Sequence, residues 1–183
     1  AAYPIVAGCL FVLDEVARKH GGTVDKYMGD CVMATFGVPE AIEDAPRAAI
    51  NAAIEMRQRV REYNLERQLP MPLDLHVGIH SGLGIAGDIS GPLLRDFAVM
   101  GEPVDVASQL TDLAEAGQIF VSADTQRLTR DVFEFARAAG VELPRARAAP
   151  ARSADSARAW EVFELLSARG QLHRERIGVQ RRV

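Results

Sequence analysis

Cysteine is scarce in this 183-residue chain, which holds Cys9 and Cys31 only. Both lie in apolar segments without CxxC spacing, which argues against a disulfide framework or a zinc site and for buried free thiols in a reducing, cytoplasmic setting. No apolar run approaches the length needed to cross a bilayer, and the opening AAYPIVAGCLFVLDEV lacks the basic leader of a signal peptide, so no membrane partner is expected. Basic charge is short over most of the sequence: residues 1–136 hold 11 Lys/Arg against 20 Asp/Glu. An acidic body of this kind argues against a broad nucleic-acid footprint. Residues 137–183 reverse the balance, with 10 Arg against 5 Asp/Glu, but RARAAPARSADSARA has the composition of a solvated loop. Lysine is the rarest cation, present only at positions 19 and 26. What is there in quantity is apolar residue, 48% of the chain, enough for one packed domain and short for two.

The most informative stretch is GGTVDKYMGDCVMATFG, residues 21–37. Thr23 to Met28 and Cys31 to Phe36 are rich in β-formers, and Gly29-Asp30 between them is a two-residue hairpin signal. A carboxylate at such a tip is held by rigid neighbours yet open to solvent, which suits a hard cation with oxygen ligands and retained waters. Lys26 supplies a compact, rotatable donor where arginine would offer a planar fork. Period-2 alternation predicts that Lys26 shares a face with Val24 and Met28, and leaves open whether that face meets core or cleft. A plain turn aspartate beside an ordinary strand lysine would produce the same run.

Helical periodicity predicts a helix from Pro4 to Lys19, stopped by Gly21-Gly22, and a second from Glu43 to Arg67 whose inner stripe is Ala45, Ala49, Ile50, Ala53, Ile54, Val60 and Tyr63. Leu73 to His80 alternates as a half-buried strand. His76 and His80 share its face, but no third ligand stands near, so a metal-free strand is expected. SGLGIAGDISG reads as a strand with a bulge or a close backbone approach, and lacks the Gly-Lys-Ser/Thr ending of a Walker loop. Phe97 to Met100, Gln118 to Ser122, Val132 to Phe135 and Trp160 to Leu166 are further strand candidates. Val104 to Leu113 and Ala123 to Leu128 read as helices. Interleaved strands and helices predict an α/β fold, an α+β sandwich with helices packed on a sheet.

With these pieces in order, the chain resembles the catalytic domain of bacterial class III adenylate and guanylate cyclases. The resemblance is carried by HGGTVDKYMGDCVMATFG, EDAPRAAINAAIEM, LHVGIHSG, GDISG, RDFAVMGEPVDVASQL and AGQIFVS, spread over most of residues 5–166. It implies a ferredoxin-like cyclase fold with an antiparallel or mixed sheet, a domain over 1–166, and a basic segment or linker over 167–183. It implies active sites at the interface of a homodimer, or of a heterodimer with another cyclase domain. There ATP or GTP would become the cyclic 3′,5′-monophosphate plus pyrophosphate, with two Mg²⁺ or Mn²⁺ ions. The basic C-terminal segment is similar to the lead-in to an ATPase and helical-repeat region in some larger proteins.

Residue by residue, the resemblance assigns Asp30 to the second metal-binding aspartate and Lys26 to the lysine that reads adenine and favours ATP. The first metal aspartate belongs to a strand that would lie before Ala1. Three positions depart from the pattern. Ala98 stands where a threonine or aspartate bonds the base, Asp105 where an asparagine orients the ribose, and Gln109 where an arginine stabilises charge on the transferred phosphoryl group. Arg145 stands near the family's phosphate-binding lysine. These departures lead us to expect a weak or impaired cyclase that forms cyclic AMP from ATP. The alternative is an inactive cyclase-like module for regulation or dimerisation in a larger signalling protein.

Overall fold

The computed structural model describes residues 3–91, 94–143 and 160–169, with the side chains of 88–98, 142 and 160 outside that description. Helix α1 spans Tyr3–Lys19 and buries Cys9, Leu13, Val16 and Ala17. It leads directly into a hairpin of β1 (Gly22–Met28) and β2 (Cys31–Phe36). The predicted tip forms: Met28 pairs with Cys31, and Gly29 takes a φ of 66°, a left-handed conformation that glycine adopts without a Cβ penalty. Helix α2 (Ala45–Arg67) starts on Asp44, whose side chain accepts from the Arg47 N–H, and buries Ile50, Ala52, Ala53, Met56, Val60 and Tyr63.

The remaining elements are β3 (Val77–Ile79), β4 (Ile85–Gly91), β5 (Leu94–Met100), α3 (Glu102–Leu113), β6 (Ile119–Ser122), α4 (Ala123–Thr129), β7 (Phe133–Leu143) and β8 (Trp160–Ala168). A four-stranded mixed sheet runs β3-β6-β8-β7, parallel between β3 and β6 and antiparallel elsewhere. The β1–β2 and β4–β5 hairpins form two further antiparallel pairs. Helix α2 joins the parts. One side of it, with Ala52, Met56, Val60 and Tyr63, packs with α1 and the hairpin residues Val24, Val32, Ala34 and Phe36. Another side, with Ile50 and Ala53, packs on Ile79, Ile119, Val121, Phe133 and Leu165. The α/β character expected from the sequence is therefore present.

Three local expectations change. The alternating run Leu73 to His80 is strand only over Val77–Ile79, and at its start the side chain of Asn64 takes both backbone groups of Leu73: its amide nitrogen donates to the Leu73 carbonyl (2.8 Å) and its oxygen accepts from the Leu73 N–H (2.9 Å). Strand β7 extends to Leu143, well beyond Phe135, through an irregular pairing with β8 between Arg137 and Glu142. The expected shared face of Val24 and Lys26 is broken by a register shift between those residues in β1, which leaves Asp25 as an extra residue. Cys9 and Cys31 are both free thiols, Cys9 buried and Cys31 half-buried.

Strand β3 lies tightly under α3. A Cβ on Gly78 would overlap the Thr111 nitrogen and fall 2.5 Å from the Ala107 carbonyl oxygen, so both neighbours are backbone and neither yields easily. Gly78→Ala is therefore expected to destabilise the protein by about 1–3 kcal/mol through overpacking. Denaturant unfolding would read this as a lower midpoint at unchanged slope.

Candidate functional site

The site begins with what supports the hairpin. At the C-terminal end of α1, Lys19 Nζ donates to Glu55 Oε1 (2.7 Å), and His20 Nε2 meets Glu55 Oε2 (2.8 Å). These two hydrogen bonds hold the Glu55 carboxyl below its ordinary value. Glu55 thus pins the last residues before β1 onto the middle of α2. Tyr63 Oη donates to the Ile5 carbonyl at the other end of α1. The hairpin accordingly leaves a helix fixed at both ends.

On β1, the extra residue re-aims two side chains. Neighbouring residues in a regular strand point to opposite faces, and a bulge cancels that alternation locally. Asp25 and Lys26 consequently meet: Lys26 Nζ lies 3.1 Å from Asp25 Oδ2. The Asp25 side chain is only 2% exposed, whereas that of Lys26 is 41% exposed. Asp25 Oδ1 accepts a long hydrogen bond from the Val99 N–H on β5 (3.4 Å), which ties the hairpin to the second strand pair. Asp25 Oδ2 has no well-aligned hydrogen-bond donor, so its contact with Lys26 is an ion pair by distance and lacks hydrogen-bond alignment. Strict alternation would place Asp25 on the face opposite Lys26, so the amino-acid pattern does not single it out as a site residue.

Asp30 is exposed at the hairpin tip. With Gly29 and Tyr27 it borders a groove of about 610 Å³ whose other wall is α1, through Tyr3, Val6, Ala7, Leu10 and Phe11. Lys26 does not line this groove. Behind the tip, burial first and then the carboxylates of Asp30 and Asp112 push the Cys31 thiol above its ordinary value.

Asp105 and Gln109 are one turn apart on α3, Asp105 exposed in the first turn and Gln109 half-buried. Neither side chain makes a hydrogen bond or ion pair among the described residues, and none links them to Lys26 or Asp30. Ala98 pairs with Gly87 across β4–β5 and directly precedes Val99, so its backbone sits beside the Asp25 bulge. Arg145 lies outside the described residues. His80 Nδ1 shares a hydrogen bond with Ser122 Oγ (2.7 Å). Ser122 Oγ in turn meets Thr125 Oγ1. Burial pushes the His80 imidazole down against the opposing pull of Asp124 and Glu102. His76 is exposed.

Among the described residues, no three His, Cys, Asp or Glu side chains gather into a metal cage. Asp30 alone matches a different type of site, in which one or two carboxylates hold Mg²⁺ together with water and substrate phosphates. Its exposure at a rigid tip, on the rim of a groove, fits that role.

Comparison with known proteins agrees with this architecture. The chain is similar to the adenylyl cyclase CyaB of P. aeruginosa, with a TM-score of 0.80 and 25% identity over 92% of this chain and 83% of that one. It also superposes on the guanylate cyclase domain of RhGC from Catenaria anguillulae, solved in complex with GTP, with a TM-score of 0.72 and 18% identity over 88% of this chain and 81% of that one. An uncharacterised protein of Mycobacterium tuberculosis is 28% identical over 116 residues, which is 62% of this chain and 20% of that protein. The chain thus spans about a fifth of the length of such curated relatives. The adenylate and guanylate cyclase catalytic domain profile matches residues 5–153, and the chain belongs to that family.

Proposed function

We propose that this domain binds ATP beside the β1–β2 hairpin and converts it slowly to cyclic 3′,5′-AMP and pyrophosphate. The observation that carries the reading is the hairpin itself: an accessible lysine amine and an exposed tip carboxylate, four residues apart on one braced element of a cyclase-family domain. Lys26 offers hydrogen-bond donors only and would meet an acceptor on the adenine edge. Asp30 would hold a divalent cation, Mg²⁺ or Mn²⁺, on the phosphate side. When bound, that ion draws off charge from the triphosphate and acidifies the ribose 3′-hydroxyl. In the reaction the 3′-hydroxyl gives up its proton to solvent as its oxygen bonds to the α-phosphorus, the bond from that phosphorus to the β-phosphate oxygen breaks, and pyrophosphate leaves. The paired site would come from a second cyclase domain, identical or not.

Slow turnover follows from α3. Gln109 carries no charge to offset that building on the transferred phosphoryl group, and the loss of one such positioned donor costs about two to three orders of magnitude in rate. Asp105 adds an anion where a neutral amide would steady the ribose. Ala98 offers the base no side-chain polar group. The same two α3 residues favour a second reading, a module that binds nucleotide weakly or not at all and acts through dimerisation within a longer signalling protein.

Cyclic AMP production from ATP with Mn²⁺, by the full-length parent protein, separates the two. Asp105→Asn with Gln109→Arg is expected to raise product formation by about 100-fold or more. Absence of product from both the unaltered and the doubly substituted protein would exclude the enzyme reading. Asp30→Asn is expected to abolish the gain in ATP affinity that Mn²⁺ confers on the unaltered protein, as read by titration calorimetry.

A further inference from the structure

The hairpin presents the Lys26 amine but does not by itself hold it in place. A lysine side chain gives up rotamer freedom when it is ordered, and a mobile ammonium serves an acceptor on either purine. In this chain position 98 is alanine, so no side chain there shares the work of selecting a base. Selectivity would then rest on where the Lys26 ammonium is held.

We infer that Asp25 is a positioning residue that fixes Lys26 for adenine and so sets the preference for ATP over GTP. Three observations support this role. The β1 register slips by one residue between Val24 and Lys26, which turns Asp25 toward its neighbour. The Asp25 carboxylate is almost wholly buried, and its Oδ2 lies 3.1 Å from the Lys26 ammonium without a well-aligned donor. Its other oxygen takes the Val99 N–H of β5, so the anchor is itself attached to the strand that carries position 98. A buried carboxylate left without a charged partner is costly, which gives the bulge a physical reason to keep Lys26 close. The Lys26 side chain as a whole keeps 41% exposure, so the same contact that orders it leaves room for a ligand. Preorganisation of this kind raises both affinity and discrimination.

This inference rests on the reading that the domain binds ATP through Lys26, and the test separates the two. Because the chain contains only two lysines, ¹³C-lysine labelling reports Lys26 directly, with Lys19 as internal control. In the unaltered protein the Lys26 Cε signal is expected to show restricted motion. Asp25→Asn should release it while leaving Lys19 and the melting temperature nearly unchanged. Titration with ATP and with GTP, each with Mg²⁺, should then give about tenfold weaker ATP binding for Asp25→Asn and erase the ATP preference. In a Lys26→Met background, Asp25→Asn should produce no further change in that preference. A freely mobile Lys26 in the unaltered protein overturns the inference without any variant. So does an unchanged ATP-to-GTP ratio in a folded Asp25→Asn protein that still binds ATP. Failure of the unaltered full-length parent protein to bind either nucleotide overturns the function reading, and this inference with it.

Discussion

The seating of the β1–β2 hairpin on α1 and α2 is the constraint on which the rest depends. A two-stranded hairpin alone is marginally stable in water, and this one gains its stability from the helices beneath it. Val24, Val32, Ala34 and Phe36 pack against the core formed by Cys9, Leu13, Val16 and Ala17 of α1 with Ala52, Met56, Val60 and Tyr63 of α2. Glu55 then fixes the C-terminal end of α1 through Lys19 and His20. With that platform in place, the backbone positions of Lys26 and Asp30 keep a fixed relation to each other. Without it, they would be two polar side chains on a mobile ribbon.

Folding and catalysis make different demands on α3. Glu102 and Asp105 lie in its first turn, where negative charge is favourable to the helix dipole. Asp105 is therefore a good residue for the helix and, under the proposed function, a poor one for a site that handles a triphosphate. Val106 and Leu110, on the buried face, anchor the helix to Phe120, Leu143 and Val162, and neither depends on what stands at 105 or 109. The scaffold can persist while its chemistry weakens, which is why family membership and catalytic strength are separate questions for this chain.

Local chemistry makes much of the architecture legible in the amino acids themselves. The glycine-aspartate tip between two runs of β-formers specifies a hairpin, and the apolar stripe of α2 announces its buried face. The bulge leaves no such mark, because VDKYM is compatible with plain alternation and the extra residue emerges only when β1 must pair with β2 and bond β5 together. Leu73 to His80 shows the opposite mismatch, a pattern longer than its strand. The alternation there is real, but Asn64, nine residues earlier, takes the backbone partners of Leu73. The extension of β7 through RAAGVEL is silent in the pattern because alanine and glycine carry little strand signal, and pairing with β8 sustains it. The departures at positions 98, 105 and 109 are visible only against a family pattern, since nothing in their spacing marks them.

Amide spectroscopy in the presence of ATP and Mn²⁺ tests the central claim most directly, because the paramagnetic ion broadens signals close to where it binds. The account requires strong broadening at Gly29 and Asp30, with ATP-dependent shifts at Asp25 and Lys26 and quiet spectra along β7 and β8. Broadening centred away from the hairpin tip, or none at saturating nucleotide, would contradict it.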